Sequence, residues 1–267
     1  MHKRTLLLCA SLLVVALVAG CGGSSSSDIP PAPAGGGGAP AGGPAVDTSK
    51  NTATVTGKIT FDGTPPPNDK VQMSSDPYCQ MHAADYPTAE TVKVSDGGLE
   101  NVIIFISSGV APGSYAAPTT PLEIVQQNCH YIPHVFTMMT NQTLNVKNGD
   151  MTLHNIHMFP EKNPPFNVGQ PLKDMVNPTK FPTPEVPIPI RCDVHKWMGA
   201  FTGVFDHPYH TVSKSGGSFE LPKLPPGNYE ITAWHEKFGK KTMMVMVNEN
   251  DKKEVNFSFN ANDKAAD

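Results

Sequence analysis

The chain has 267 residues, a formal net charge of −4, 16% charged residues and 39% hydrophobic ones. Its 23 Gly and 27 Pro make up nearly one residue in five, against the ~12% of ordinary domains, which excludes a long helical bundle. No apolar run reaches the ~18 residues needed to cross a bilayer, so a polytopic membrane protein is excluded, and the length allows one or two domains with a sizeable core.

His2-Lys3-Arg4 followed by the short apolar run Thr5 to Ala19 reads as a secretory signal over residues 1–20. The run ends in Val18-Ala19-Gly20-Cys21, which resembles the bacterial lipobox. That resemblance implies cleavage before Cys21 and acylation of its thiol, so that a lipid bilayer is one partner. Losing Lys3 and Arg4 makes the charge two units more negative, and no basic patch remains to neutralise phosphates, so nucleic acid is not an expected partner. Residues Gly22 to Val46 are almost wholly Gly, Ser, Ala and Pro and cannot bury enough apolar surface to offset chain entropy. With the lipidated Cys21 they form an expected disordered tether over 21–50, reaching about 30 Å as a flexible coil. A bacterial cell envelope is the expected location. Gly22 offers no Asp retention signal, so a Gram-negative cell would carry the chain on its outer membrane, facing periplasm or cell surface.

From Thr52 onward short β-patterned runs alternate with turns. Thr54 to Phe61 alternates and stops at Asp62-Gly63, and Asn101 to Ile106 is a compact apolar strand. Thr143 to Lys147 precedes an Asn148-Gly149-Asp150 turn, and Val204, Phe219 to Leu221, Tyr229 to Thr232 and Thr242 to Val247 continue the pattern. No stretch shows a helical period over eleven residues, so the class is all-β, a sandwich or barrel of many short strands. Met158 to Arg191 carries nine prolines and reads as a long functional loop. It ends in Val186-Pro187-Ile188-Pro189-Ile190-Arg191-Cys192, with prolines on one face, a pattern suited to an edge strand.

Two segments carry chemistry: Leu153-His154-Asn155-Ile156-His157 and Cys192-Asp193-Val194-His195-Lys196-Trp197-Met198. A thiolate, two imidazoles and a weak thioether suit copper cycling between two oxidation states, because soft sulfur favours Cu(I) and imidazole accommodates both. Three such residues within seven can converge only in a tight loop between strands, and the fourth must come from elsewhere.

The spacing Cys-x2-His-x2-Met resembles the ligand loop of the cupredoxins, in the short version found in amicyanin. Tyr131-Ile132-Pro133, then Gln142 to Asn148, then His154-Asn155-Ile156-His157 follow the cupredoxin order as well. The resemblance covers roughly Asn128 to Phe205. It implies one mononuclear type 1 copper site held by His154, Cys192, His195 and Met198, with Asn155 bridging the two ligand segments and His157 not a ligand. It also implies a Greek-key β-sandwich over 121–210 and an electron-exit face of His195, Trp197 and Phe201. Pro187-Ile188-Pro189 departs from the aromatic strand usual at that place. Cys-x2-Cys-His is absent, which excludes covalent c-type haem, and a closed Cys/His zinc set is missing.

Cys79 and Cys129 are left over, and an oxidising compartment favours a bridge between them, worth roughly 4 kcal/mol in the chain-entropy model. The rival is metal binding by Cys79-Gln80-Met81-His82. His82, His130, His134, His207, His210 and His235 could build a second metal site or serve as polar loop and strand-end residues. Met138-Met139 and Met243-Met244 with Met246 suggest either a trafficking cluster or, at period-two spacing, core packing. The segment 211–260, with Leu224-Pro225-Pro226-Gly227 between amphipathic strands, resembles the second half of a carboxypeptidase regulatory-like, transthyretin-type β-sandwich. Residues 51–120 would be its first half, the copper domain an insertion, and 261–267 a tail. No His-Glu-x2-His, Gly-x-Ser-x-Gly or phosphate loop occurs, so an electron carrier serving envelope redox proteins is expected rather than an enzyme. The alternatives are a copper-trafficking lipoprotein without redox turnover and a structural or glycan-binding β-sandwich.

Overall fold

The computed structural model describes residues 43–264. The leader, the lipobox with Cys21 and the tether up to Gly42 lie outside the described residues. The end of the expected disordered segment is placed: the Val46 N–H donates to the Ser114 carbonyl at 2.9 Å, and Ala45 bridges to Ser114.

The described chain is all-β apart from a five-residue helix and a 3-10 turn. In order it forms β1 (Ala53–Asp62), helix α1 (Pro77–Met81), the short β2 (Val94–Ser95) and β3 (Gly98–Leu99), and β4 (Ile103–Ser108). Next come β5 (Leu122–Gln127), β6 (His130–Ile132), β7 (Val135–Met139), β8 (Leu144–Asn148) and β9 (His154–Met158). They are followed by β10 (Phe166–Gln170), β11 (Val176–Thr179), β12 (Glu185–Arg191) and β13 (Gly199–Phe205). The chain closes with β14 (His210–Val212), β15 (Ser218–Leu224), β16 (Gly227–His235), β17 (Gly239–Val247), β18 (Lys252–Glu254) and β19 (Phe257–Asn260).

Two cores result. In the first, β1 with β2, β3, β15, β18 and β19 faces a sheet ordered β14-β4-β16-β17. The alternation of β1 turns Ala53, Val55, Ile59 and Phe61 inward against Leu99, Ile104, Leu221 and Ile231. Gly57 holds the inward position between Val55 and Ile59, where a Cβ would lie 1.8 Å from the Val255 carbonyl oxygen. The second core lies between a sheet ordered β10-β9-β12-β13-β7 and one ordered β11-β8-β5-β6, filled by Ile124, Met138, Leu144, Ile156 and Ile188. The chain leaves the first sandwich after β4 and returns in β14, which pairs antiparallel with β4.

Several sequence expectations need correction. Residues 71–86 do not join the first sandwich: Met73 and Cys79, with Val71, Tyr78 and Tyr86, pack in the second core. Asn101 sits at φ 62°, a left-handed turn that Asn tolerates, so the expected strand opens at Ile103. The proline-rich stretch from Met158 to Arg191 is not a loop, because β10 pairs with β9 and β11 with β8. Nor is β12 an edge strand; it lies between β9 and β13. Its prolines are tolerated because pairing to β9 spans only Ile190 and Arg191, with one further bond from the Phe159 N–H to the Pro189 carbonyl at 2.9 Å. The ladder therefore asks for few N–H donors from the proline positions of β12. Met138 and Met139 are buried, but Met244 and Met246 stand on the solvent face of edge strand β17, 67% and 61% exposed.

The cores are joined by a third apolar cluster, Ile103, Val135, Phe201 and Phe205 with Trp234 packed against it, and by a half-buried His134–Glu236 ion pair. His134 also meets the Gly199 carbonyl through Nδ1 at 3.0 Å. Burial opposes the imidazolium, but the Glu236 carboxylate outweighs it and raises the His134 pKa above 6.5. A raised pKa gives stability that is complete below the unfolded value and is lost as pH rises through the folded one. Glu236→Gln should therefore cost roughly 3 kcal/mol at pH 6, with the deficit shrinking at alkaline pH, as read by urea unfolding across the pH range.

Candidate metal centre

The turn Asn148-Gly149-Asp150 forms as the sequence suggests: the Asp150 N–H donates to Asn148 Oδ1 at 2.9 Å. It swings the fully buried Asp150 carboxylate back under β9. There Oδ2 accepts from the Cys129 N–H at 2.9 Å and meets His154 Nε2 at 2.8 Å. Oδ1 accepts from the Asn128 N–H at 2.8 Å and from the Tyr78 hydroxyl at 3.2 Å. Asn128 and Cys129 take φ values of 51° and 61°, a left-handed turn whose two N–H groups this one carboxylate holds.

His154 and His195 meet with Nδ1 to Nδ1 at 3.0 Å, and Cys192 Sγ lies 3.8 Å from His195 Nδ1. The donor atoms of His154, Cys192 and His195 all lie within 4.8 Å of one another, and all three residues are buried. The loop from Cys192 to Met198 is closed at its base by Cys192 N–H to the Met198 carbonyl (3.3 Å) and Met198 N–H to the His195 carbonyl (2.9 Å). Met198 is buried in the same core as Cys192. Asn155 spans the two segments: its Oδ1 accepts from the Asp193 N–H at 3.1 Å, and its Nδ2 donates to Asn167 Oδ1 at 2.7 Å. His157 is turned away to Asp193 at 3.0 Å.

Burial pushes the Cys192 thiol up. Hydrogen bonds from His154 and His195, together with the backbone N–H groups of His195 and Asn155, outweigh it and bring the pKa down to about 6. Burial likewise opposes the charged forms of His154 and Asp150, yet their contact holds the imidazole above and the carboxylate below its ordinary value. The site can thus present a thiolate near neutral pH, with both ring Nδ1 atoms aimed at one point. His154 has its other nitrogen occupied by Asp150. The corresponding neighbours of His195 Nε2 are Asp76 Oδ2 at 3.5 Å and Cys79 Sγ at 3.8 Å.

Cys79 and Cys129 are bonded to each other, so neither is free to ligate, and Cys192 is the free cysteine of the described residues. The bridge fastens α1 over the site. Asp76 caps the helix by accepting from the Cys79 N–H at 2.9 Å, and its Oδ2 accepts from the Thr152 hydroxyl at 2.9 Å. His195 is consequently only 1% exposed, and Phe201 is buried in the joining cluster. Of the expected exit face, His195 lies beneath Asp76 and Cys79 and Phe201 packs in the joining cluster, so Trp197 is the member that stays partly exposed.

Among the described residues no second metal group gathers from the other histidines. His82 pairs with Asp85 at 3.3 Å, His134 with Glu236, and His207 donates through Nε2 to the Ile106 carbonyl at 3.0 Å. His210 and His235 stack on Phe205 and Phe238, and His130 lies tilted against Tyr86. The residues that sequence reasoning missed are Asp76, Asp150 and Tyr131, whose hydroxyl donates to the Asn155 carbonyl at 2.6 Å and the Arg191 carbonyl at 3.0 Å. Asp150 sat in a recognised turn and could have been found. Asp76 carried no signal.

Residues 206–260 match the family model described as BOS complex subunit NOMO1-like, second beta sandwich domain. A carboxypeptidase regulatory-like sandwich was expected there; a β-sandwich of the NOMO1-like kind is what this part resembles. No curated protein matches the chain. Among solved structures, it is similar to a Cu-containing nitrite reductase from Thermus scotoductus SA-01 at 18% identity and TM-score 0.31, over 37% of this chain and 25% of that one. The chain thus spans a quarter of that reductase. A purple cupredoxin from Nitrosopumilus maritimus aligns at 20% identity and TM-score 0.27, over 31% of this chain and 98% of that one. Amicyanin from Paracoccus versutus aligns at 20% identity and TM-score 0.28, over 38% and 96%.

In metal-free protein, the ultraviolet absorbance of the Cys192 thiolate should rise with a midpoint at about pH 6 and vanish in Cys192→Ser. The depressed pKa gives stability that is present above the thiol's unfolded value of 9.0 and lost as pH falls through about 6. Asp150→Asn places an amide against four partners that a carboxylate satisfies and should lower the unfolding free energy by roughly 3 kcal/mol at neutral pH, measured with urea.

Proposed function

We propose that the protein is a lipid-anchored type 1 copper protein that carries single electrons between redox partners of a bacterial cell envelope. The observation that carries this reading is the convergence of one low-lying thiolate and two imidazole Nδ1 atoms in a buried cage. The donor chemistry fits copper: Cys192, His154 and His195 would hold it, with the buried thioether of Met198 as a weak fourth contact. Bound there, copper supplies one-electron cycling between two oxidation states.

The chain's own residues do the rest. Asp150 keeps the His154 ring from turning, the Asn155 and His195 N–H groups spread the Cys192 charge, and the Asn155 side chain locks the spacing of the two ligand segments. A cage so fastened suits both oxidation states with little movement. Because α1 encloses His195, the partner face is assigned to the exposed apolar residues on the flanking segments, Met81, Met151, Leu153 and Val194. The anchor rests on the lipobox-like Val18 to Cys21.

Adding Cu(II) to the full-length protein should give an intense blue or green thiolate charge-transfer band that disappears in Cys192→Ser. A colourless or barely bound site would defeat the reading in favour of a structural β-sandwich, which the match over residues 206–260 favours. Reversible voltammetry separates a carrier from a trafficking protein. Met198→Leu should keep copper and raise its potential, and loss of all binding would contradict the weak axial role.

A further inference from the structure

Beside the metal loop, between it and the segment 69–91, lies a cavity of ≈ 600 Å³. Its apolar lining includes the aromatic Tyr86, Trp197 and Phe201, together with Met198. That volume lies within the range of organic-ligand pockets and is far larger than an inorganic ion needs.

The lining of the cavity holds three cations and three carboxylates, on a chain that is net acidic. The protein carries −4 overall, yet Lys70, Arg191 and Lys196 all line this space. Arg191 is the only arginine among the described residues. It lies over the Phe201 ring at 5.3 Å, and its Nη1 donates to the Ile190 carbonyl at 3.1 Å. Among the described residues no carboxylate forms an ion pair with any of these three cations. Two of the three lining carboxylates are engaged elsewhere, Glu236 by His134 and Glu90 by Lys93, which leaves Asp69. A guanidinium with open donors on an aromatic face is a pairing suited to a planar carboxylate, which it can hold in bidentate fashion while the rings stack on its body.

We infer that this cavity is a binding site for an aromatic carboxylate, with its ring among Tyr86, Trp197 and Phe201 and its charge on Arg191 and Lys196. The inference stands apart from copper, since every residue it uses except Met198 lies outside the proposed ligand set. It therefore concerns the metal-free chain equally.

Benzoate is the probe, titrated by calorimetry into the full-length, metal-free protein, with acetate and benzyl alcohol as the carboxylate-only and ring-only controls. Saturable one-to-one benzoate binding is expected, at least tenfold tighter than either control, falling at least tenfold in Arg191→Gln and severalfold in Lys196→Gln. Both side chains are exposed, and unchanged thermal unfolding of each variant shows that the fold survives. Three outcomes overturn the inference: no saturable benzoate binding, acetate binding as tightly as benzoate, or binding indifferent to both substitutions. None of them touches the copper reading, which the Cu(II) colour tests separately.

Discussion

One buried carboxylate organises the candidate metal centre. Asp150 accepts from two consecutive backbone N–H groups of the Asn128–Cys129 turn, from the Tyr78 hydroxyl, and lies against His154 Nε2. These contacts come from three separate stretches of chain, and each needs the charge: a left-handed turn with two donors aimed inward, a helix lying across the site, and an imidazole that must present Nδ1. Taking a carboxylate out of water is costly unless its lone pairs are filled, and here the filling groups are the parts that have to be placed. The disulfide then adds a covalent constraint at the same point, since Cys129 both donates to Asp150 and is bonded to Cys79.

The second consequence of that constraint is a closed site. His195 faces Asp76 and the disulfide sulfur, and Trp197 donates its indole N–H to the Cys129 carbonyl at 3.0 Å. Each ring nitrogen that does not face the cage has a neighbour across it, so ring orientation is fixed from outside as well as inside. The first sandwich takes part too. Glu236, just beyond β16, reaches His134, and His134 reaches the carbonyl of Gly199, the residue after Met198. The NOMO1-like part of the chain is thereby in physical contact with the strand that leaves the Cys192–Met198 loop.

Much of this was legible in the residues. The all-β class, the turn at Asn148 to Asp150 and most strand positions follow from period-two alternation and turn chemistry, which are local properties. The Cys79–Cys129 pairing also followed, since few thiols were left to choose from. What was not legible had no local signature. Strands β10 and β11 are interrupted by exposed polar residues and proline, so they read as loop until β9 and β8 lie beside them. The position of β12 inside its sheet depended on where β9 ends, which no residue of β12 reveals. Met244 and Met246 alternate as core residues would, but Val245 and Val247 take the core-facing positions of β17 and leave the methionines on the solvent face.

The sequence by itself determined which atoms could serve a metal: the order and spacing of His154, Cys192, His195 and Met198 within a β-rich chain are short-range facts. The tertiary structure alone decided what surrounds those atoms. Asp76 and Cys79 come to His195 from far along the chain, Cys79 from 116 residues away, and the cavity beside Met198 sets the loop's own Arg191, Lys196 and Trp197 against Tyr86 of a distant segment. Side-chain chemistry is carried by residue type, whereas the solvent exposure and partners that tune it exist only once distant strands have packed.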